Sequence, residues 1–204
     1  MVRLTFLLCA LFPSLAFAGE WQTVKEYSDG LLLEKRDVPE SPYDEIRVSV
    51  HSKLPPKILA DSLWKLRNEG YEARITKKRQ VLLDTPTERV VYQQIDLPII
   101  SDRDYTIRLK RVIDSATGVY QNLFQTDNAA GPKPMPGFVR IEQIRGGWTF
   151  EPDGKGGSFV TYFFLNDPAG SLPAGLVKGY QRDTGVTVLR EMLQFAERDS
   201  NLPR

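Results

Sequence analysis

Residues 172–199 read LPAGLVKGYQRDTGVTVLREMLQFAERD, and the spacing of the apolar positions in this stretch decides how the rest of the chain must fold. Val177, Gln181, Gly185, Val188, Met192 and Phe195 with Ala196 follow one another at intervals of three and four, the repeat that puts side chains on one face of an α-helix. Asp183, Arg190, Gln194 and Glu197 fall on the other side, so the helix is expected to lay one face on something apolar and keep the other wet. Two polar groups interrupt the buried stripe. The Gln181 amide and the Thr184 hydroxyl beside Gly185 would be costly against hydrocarbon unless they find partners. They fit either polar points on a cavity wall or a solvated rim.

The sequence ahead of this helix alternates as strands do. Ile46, Val48 and Val50 alternate with Arg47 and Ser49 within Tyr43–Lys53, which predicts a strand with one buried and one wet face. Further strands are expected over Leu31–Val38, Ala73–Leu83, Val90–Leu97, Tyr105–Ile113, Val119–Gln125, Phe138–Ile144, Gly147–Glu151 and Ser158–Asn166, with Trp21–Tyr27 as a lead-in. Pro55-Pro56 opens a short amphipathic helix carrying Ile58, Leu59, Leu63 and Leu66, which ends before Gly70. The connections at Thr85-Pro86, Ser115–Gly118 and Pro152–Gly157 are short and rich in turn residues, so the strands pair as an antiparallel meander. A sheet of that extent curls and needs cover on its concave face. The fold class is therefore α+β, a curved antiparallel sheet closed by the long carboxy-terminal helix, and a straight helix across a strongly curved sheet leaves a cavity. One connection differs from the rest: Ala129–Gly137 (AAGPKPMPG) is stiff and weakly polar, and it reads either as an ordinary long hairpin loop or as a lid with Met135 pointing inward.

Residues 1–18 combine an early Arg3, an apolar run from Leu4 to Phe12 and the small-residue pattern Ala16-Phe17-Ala18. They are expected to be a signal peptide, with a retained anchor as the alternative, and residues 19–204 to be one domain. Without the leader the chain loses Arg3 and its single cysteine, Cys9, leaving 26 basic and 26 acidic side chains. That balance argues against a nucleic-acid partner, and an exported chain of this length without cysteine is held by its core rather than by disulfides. His51, the one histidine, has no companion that would suggest a metal site or a catalytic triad, and neither metal nor cofactor is expected.

Arg103–Arg108 (RDYTIR) preceded by Leu97-Pro98, then Gly147–Pro152 (GWTFEP), Val160–Tyr162 (VTY), Asp167–Gly170 (DPAG) and Leu172-Pro173 resemble, in order and spacing, the START (steroidogenic acute regulatory protein-related lipid transfer) domain family. The resemblance implies a helix-grip fold with a hydrophobic tunnel under the last helix, non-enzymatic binding of one lipid, and a mobile gate at Ala129–Gly137. It also implies an arginine in the tunnel at Arg108, although strand alternation puts Arg108 with Thr106 and Lys110, away from Tyr105, Ile107 and Leu109. In sterol-binding members an acid on the preceding strand pairs with that arginine, whereas this chain has Gln93-Gln94 there. The expected ligand-binding residues are thus Arg108, Gln93, Met135, Gln181, Thr184, Val188 and Met192. The expected function is that of a monomeric exported carrier, periplasmic or extracellular, which takes up a lipid or other hydrophobic molecule through transient membrane contact. The competing class is a helix-grip enzyme of the polyketide cyclase or hydratase type; no catalytic residues are assigned, because no nucleophile, base and orienting group stand at credible spacing.

Overall fold

The computed structural model describes residues 19–39, 41–66, 70–96 and 100–200. The expected leader and Leu97-Pro98 lie outside the described residues. Among the described residues there are ten strands, β1 (Gln22–Glu26), β2 (Leu32–Arg36), β3 (Glu45–Ser52), β4 (Thr76–Asp84), β5 (Glu88–Ile95), β6 (Arg103–Asp114), β7 (Val119–Thr126), β8 (Val139–Arg140), β9 (Gln143–Pro152) and β10 (Ser158–Asp167), and three α-helices, α1 (Pro56–Lys65), α2 (Gly70–Ile75) and α3 (Ala174–Ser200). The sheet runs β1-β2-β3-β10-β9-β7-β6-β5-β4 with antiparallel neighbours throughout, and β8 lies parallel beside the start of β6.

Several expected boundaries move. Trp21–Tyr27 contributes a strand, β1, because its backbone completes the edge beside β2. The expected strand from Ala73 begins as a helical turn, α2, and becomes β4 only at Thr76. Gly146-Gly147, which separates the two strands expected over Phe138–Glu151, does not break β9. Side chains there would strike Phe124 and Phe163 from opposite faces, so the glycines let a single strand pass between crowded neighbours.

Directly opposed residues of an antiparallel ladder share a face, so the register can be followed across the sheet. Val48 opposes Tyr162, Tyr162 opposes Trp148, and Trp148 opposes Asn122. Phe124, two residues along from Asn122, opposes Leu109, and Ile107 beside Leu109 opposes Val91. This is the inner face, against which α1 and α3 lie. Leu31, Leu33, Ile46, Val48, Trp148, Phe150, Val160 and Phe164 meet Leu59, Ala60, Val186, Leu189, Met192 and Ala196 from the helices. Trp148 stacks on Tyr162 with centroids 4.2 Å apart.

The buried stripe of α3 is Val177, Gln181, Gly185, Val186, Leu189, Met192 and Ala196. It is rotated slightly from the expected one, because Val186 and Leu189 take the central places and Val188 is only half-buried. Gly185 is where the helix comes closest to the sheet: a Cβ there would stand 3.1 Å from Phe164 and 3.2 Å from Val48. The amino-terminal half of α3 is tied down by a buried acid just ahead of β3. Lys178 reaches Asp44 Oδ1 at 2.7 Å and Arg182 reaches Oδ2 at 3.2 Å. Burial pushes the Asp44 carboxyl up, but the bonds from Lys178 and Arg182 and the charge of Lys35 more than offset it and hold the group below the usual carboxylate range.

Two of the three glycines of α3, Gly179 and Gly185, should respond to substitution in opposite directions. Gly185→Val overpacks the helix–sheet contact and should lower stability by roughly 1–3 kcal/mol. Gly179→Ala meets nothing within 4 Å and should raise stability by about 0.8–1 kcal/mol through helix propensity alone. Urea denaturation of the two variants checks both, and a Gly185→Val protein as stable as the parent would mean that α3 does not approach the sheet here.

Candidate ligand site on the inner face

The inner face is not covered evenly. α3 packs on β3 and β10, and α1 packs on β7 and β9, so the two longer helices concentrate on one part of the sheet. On β5 the inner-face residues Val91, Gln93 and Ile95 are nevertheless withdrawn from solvent, while Tyr105, Ile107 and Leu109 on β6 are half-buried. The side of α3 that carries Thr184, Val188 and Glu191 looks toward this part of the sheet, since Arg74 of α2, just ahead of β4, donates to Glu191 Oε1 at 2.8 Å. The opposite side looks toward β1 and β2, where Arg190 holds Asp29 at 2.9 Å.

Polar atoms without partners gather on this face. Gln93 is 1% exposed and its Nε2 has no hydrogen-bond partner. Gln181 Nε2 donates to the Asn166 carbonyl, which fixes the amide and leaves Gln181 Oε1 and Asn166 Oδ1 both buried and unpartnered. The inner-face arginines, by contrast, are taken up. Arg89 donates to Asp84 Oδ1 at 3.0 Å and to the Trp64 carbonyl, and its guanidinium lies over the Trp64 ring. Arg111 pairs with Asp61 of α1. Arg103, opposed to Ile95, donates to the backbone carbonyls of Ser101, Pro168 and Ala169, and burial lowers its pKa from the ordinary arginine value. Arg103 thereby fastens the turn that leads into α3.

The seven expected site residues separate. Gln93 lies on the inner face of β5, Gln181 donates to the Asn166 carbonyl of β10, and Thr184 and Val188 are half-buried on α3. Met192 does not line a space; at 1% exposed it belongs to the packed core under α3, because the stripe through Gly185, Leu189 and Met192 is the one that meets β2, β3 and β10. Arg108 is on the outer face, as alternation requires, and the position implied by the resemblance is corrected: no bulge interrupts the β5–β6 or β6–β7 ladders to turn it inward. Its guanidinium bonds Glu88 and Asp127, each at 2.7 Å.

Met135 and its loop are also corrected. The loop between β7 and β8 folds onto the outer face, where Gly131 sits on the Thr106 side chain and Arg140 grips the buried Asp104 carboxylate with two bonds of 2.8 Å. Tyr92 donates to Asp104 at 2.9 Å, Gln94 donates to the Tyr92 oxygen at 3.0 Å, and the Met135 sulfur lies 3.5 Å from both. The loop is therefore bolted to the side of the sheet away from α3, and Met135, 41% exposed, does not point into the inner face. The partnership of Asp104 with Arg140 was not anticipated from the sequence. The only available sign was a carboxylate at an outer strand position followed, beyond a hairpin, by an arginine.

His51 has a carboxylate partner the sequence did not suggest, Asp153 at 2.6 Å. Asp153 also accepts backbone N–H groups of Lys155 and Gly157, and the pair organises an exposed turn rather than a catalytic centre. Among the described residues no group of three His, Cys, Asp or Glu side chains could hold a metal ion.

No family model matches the chain. It is 25% identical over 197 residues to the phosphatidylcholine transfer protein of Mus musculus, covering 93% of this chain and 90% of that protein. The crystal structure of the STAR-related lipid transfer protein (fragment 25-204) from Xanthomonas axonopodis superimposes with a TM-score of 0.71 at 25% identity, covering 87% of this chain and 98% of that one. The Zhui aromatase/cyclase from Streptomyces matches with a TM-score of 0.51 at 17% identity over 77% of this chain and 95% of that one, a likeness of fold alone.

Substitutions on the outer face separate the two corrected residues. Asp104→Ala leaves the Arg140 guanidinium buried without its anion and should cost about 3–5 kcal/mol. Arg108→Leu breaks a half-exposed pair and should cost only about 0.2–1 kcal/mol, with no change in preference between anionic and neutral lipids. Denaturation curves and a lipid-binding titration check these outcomes; selective loss of anionic lipid in Arg108→Leu would return Arg108 to the ligand site.

Proposed function

Because the chain is a relative of the START lipid-transfer proteins and has the helix-grip fold, we propose that it binds one lipid or similar apolar molecule between α3 and the inner face of β5 and β6, and carries it without altering it. The observation that carries this reading is the uneven cover of the sheet. Buried Gln93 and half-buried Tyr105, Ile107 and Leu109 form a mostly apolar wall with few polar points, beside the strands on which α1 and α3 pack. Thr184 and Val188 form the helix side of the same space. Leu176 and Tyr180, one turn apart near the start of α3 and 68% and 42% exposed, are the apolar groups that would touch a membrane during uptake and release. The pattern Ala16-Phe17-Ala18 supports export, with maturation ahead of Gly19 and work outside the cytoplasm. A helix-grip enzyme of the cyclase or hydratase type is the competing class and rests on likeness of fold only.

Solvent extraction of the purified protein followed by mass spectrometry should yield a stoichiometric lipid. Val188→Trp should abolish uptake of a fluorescent lipid from vesicles while leaving the melting temperature near that of the empty protein, since bulk added to a void is tolerated where bulk added to a packed core is not. A Val188→Trp protein that unfolds, together with an extract free of lipid, would mean that the space is filled and that the carrier reading is wrong. A chemically altered product released from a bound polyketide-like substrate would favour the enzyme.

A further inference from the structure

The polar groups facing this space constrain what it holds. Four arginines face inward from the described parts of β4, β5 and β6, and each has partners: Arg89 has Asp84, Arg111 has Asp61, Arg103 has three backbone carbonyls, and Arg79, which opposes Gln93 on β4, is engaged as well. Freeing Arg103 for a ligand anion would also release the Pro168-Ala169 turn, where Ala169 is held at a positive φ of 57°. Arg111 Nε is also buried without a partner, but its guanidinium charge is already balanced by Asp61, and the other unpartnered atoms toward this part of the face are uncharged. Gln93 offers an N–H donor from β5, and Gln181 Oε1 and Asn166 Oδ1 offer acceptors from the α3 and β10 side. A phosphate or carboxylate can satisfy the donor but presents only oxygen to the two acceptors, and it would enter a water-poor space without a free cation. A hydroxyl or a primary or secondary amide both donates and accepts, so it can complete either kind of atom.

We propose that the ligand is an uncharged amphiphile whose polar end carries hydroxyl or amide groups, and that lipids bearing a phosphate or a carboxylate are discriminated against. The proposal rests on the reading of the inner face as a ligand chamber. Gln93 is its specificity-determining residue: its unpartnered N–H contributes only when a ligand oxygen reaches it, and an uncharged side chain at this place spares the site an anion's need for a counter-charge. Its neighbour Gln94 takes no part, because its amide is turned to the outer face and donates to Tyr92.

The test compares one acyl chain with different heads. Monoolein, oleate, oleoyl lysophosphatidic acid and oleoyl lysophosphatidylcholine are each used to displace Nile red, an uncharged apolar dye, from the purified protein. Monoolein should compete about tenfold more tightly than any of the other three, the factor expected for one hydrogen bond made or left unmade. Gln93→Leu should weaken monoolein by a similar factor without affecting oleate, and Gln93→Lys should shift the preference toward oleate. Equal competition by all four heads, or tighter binding of a charged one to the unmodified protein, would overturn the uncharged-ligand inference and leave the carrier reading intact. Failure of the protein to take up Nile red or any of the four would remove both. The comparison on the unmodified protein decides the question even if a Gln93 variant fails to fold.

Discussion

α3 can lie on the sheet only where the two backbones come close, and Gly185 is the residue that permits it. With hydrogen in place of a side chain, the helix lets Phe164 and Val48 approach its axis, and Leu189, Met192 and Ala196 then follow into the gaps between Trp148, Phe150 and Val160. The contact fixes more than stability. A stiff helix of 27 residues anchored on β3 and β10 cannot also follow the sheet round to β5, so packing well on one side leaves the other side to be filled by something else. The core and the proposed chamber are consequences of one placement. Asp44 reinforces it from the helix's other half, by holding Lys178 and Arg182 against the start of β3.

The outer face is built on a different principle. Tyr92, Asp104 and Thr106 are buried there not by a helix but by the loop after β7, and what secures that loop is a charged pair rather than hydrocarbon. Arg140 gives Asp104 a bidentate bond, Tyr92 adds a further donor, and Arg140 also reaches the Pro132 carbonyl, so desolvation of both ions is offset by near-complete hydrogen bonding. A fully satisfied network of this kind specifies one loop position sharply. It therefore suits a rigid buttress for β5 and β6 better than a moving element.

How much of this could be read from the residues depended on whether the reading was local. The helical repeat of 172–199 and the alternation along β3, β6 and β10 were legible because burial imposes them directly on the sequence, and the order of the elements followed from turn chemistry between them. Arg108 shows where local evidence should have prevailed: its alternation with Ile107 and Leu109 placed it outside, and an unbroken ladder on both sides keeps it there. Met192 shows the limit of the stripe itself. A stripe predicts burial, but a core residue and a chamber residue are a fraction of a turn apart, and only the azimuth of α3 on the sheet tells Met192 from Val188. The loop at Ala129–Gly137 was misjudged for a third reason, since its composition says it is stiff but nothing in it says which face of a sheet it will lie on.

That same azimuth connects the fold to its proposed use. Around α3, the stripe of Gly185 and Leu189 meets hydrocarbon, Arg190 meets the turn of the β1–β2 hairpin, Val188 packs at the margin of the core, and Glu191 on the same side is held by Arg74 of α2. Gln93 on β5, like Asn166 on β10, keeps a buried amide atom without a partner. A packed core tolerates an orphaned N–H poorly, because its desolvation is not repaid. On the proposed reading, Gln93, at 1% exposure with an unpartnered Nε2, is half of a contact whose other half would arrive with the ligand. On the same proposed reading Arg89, Arg103 and Arg111, whose charges are already matched, would serve the architecture and leave recognition to neutral groups.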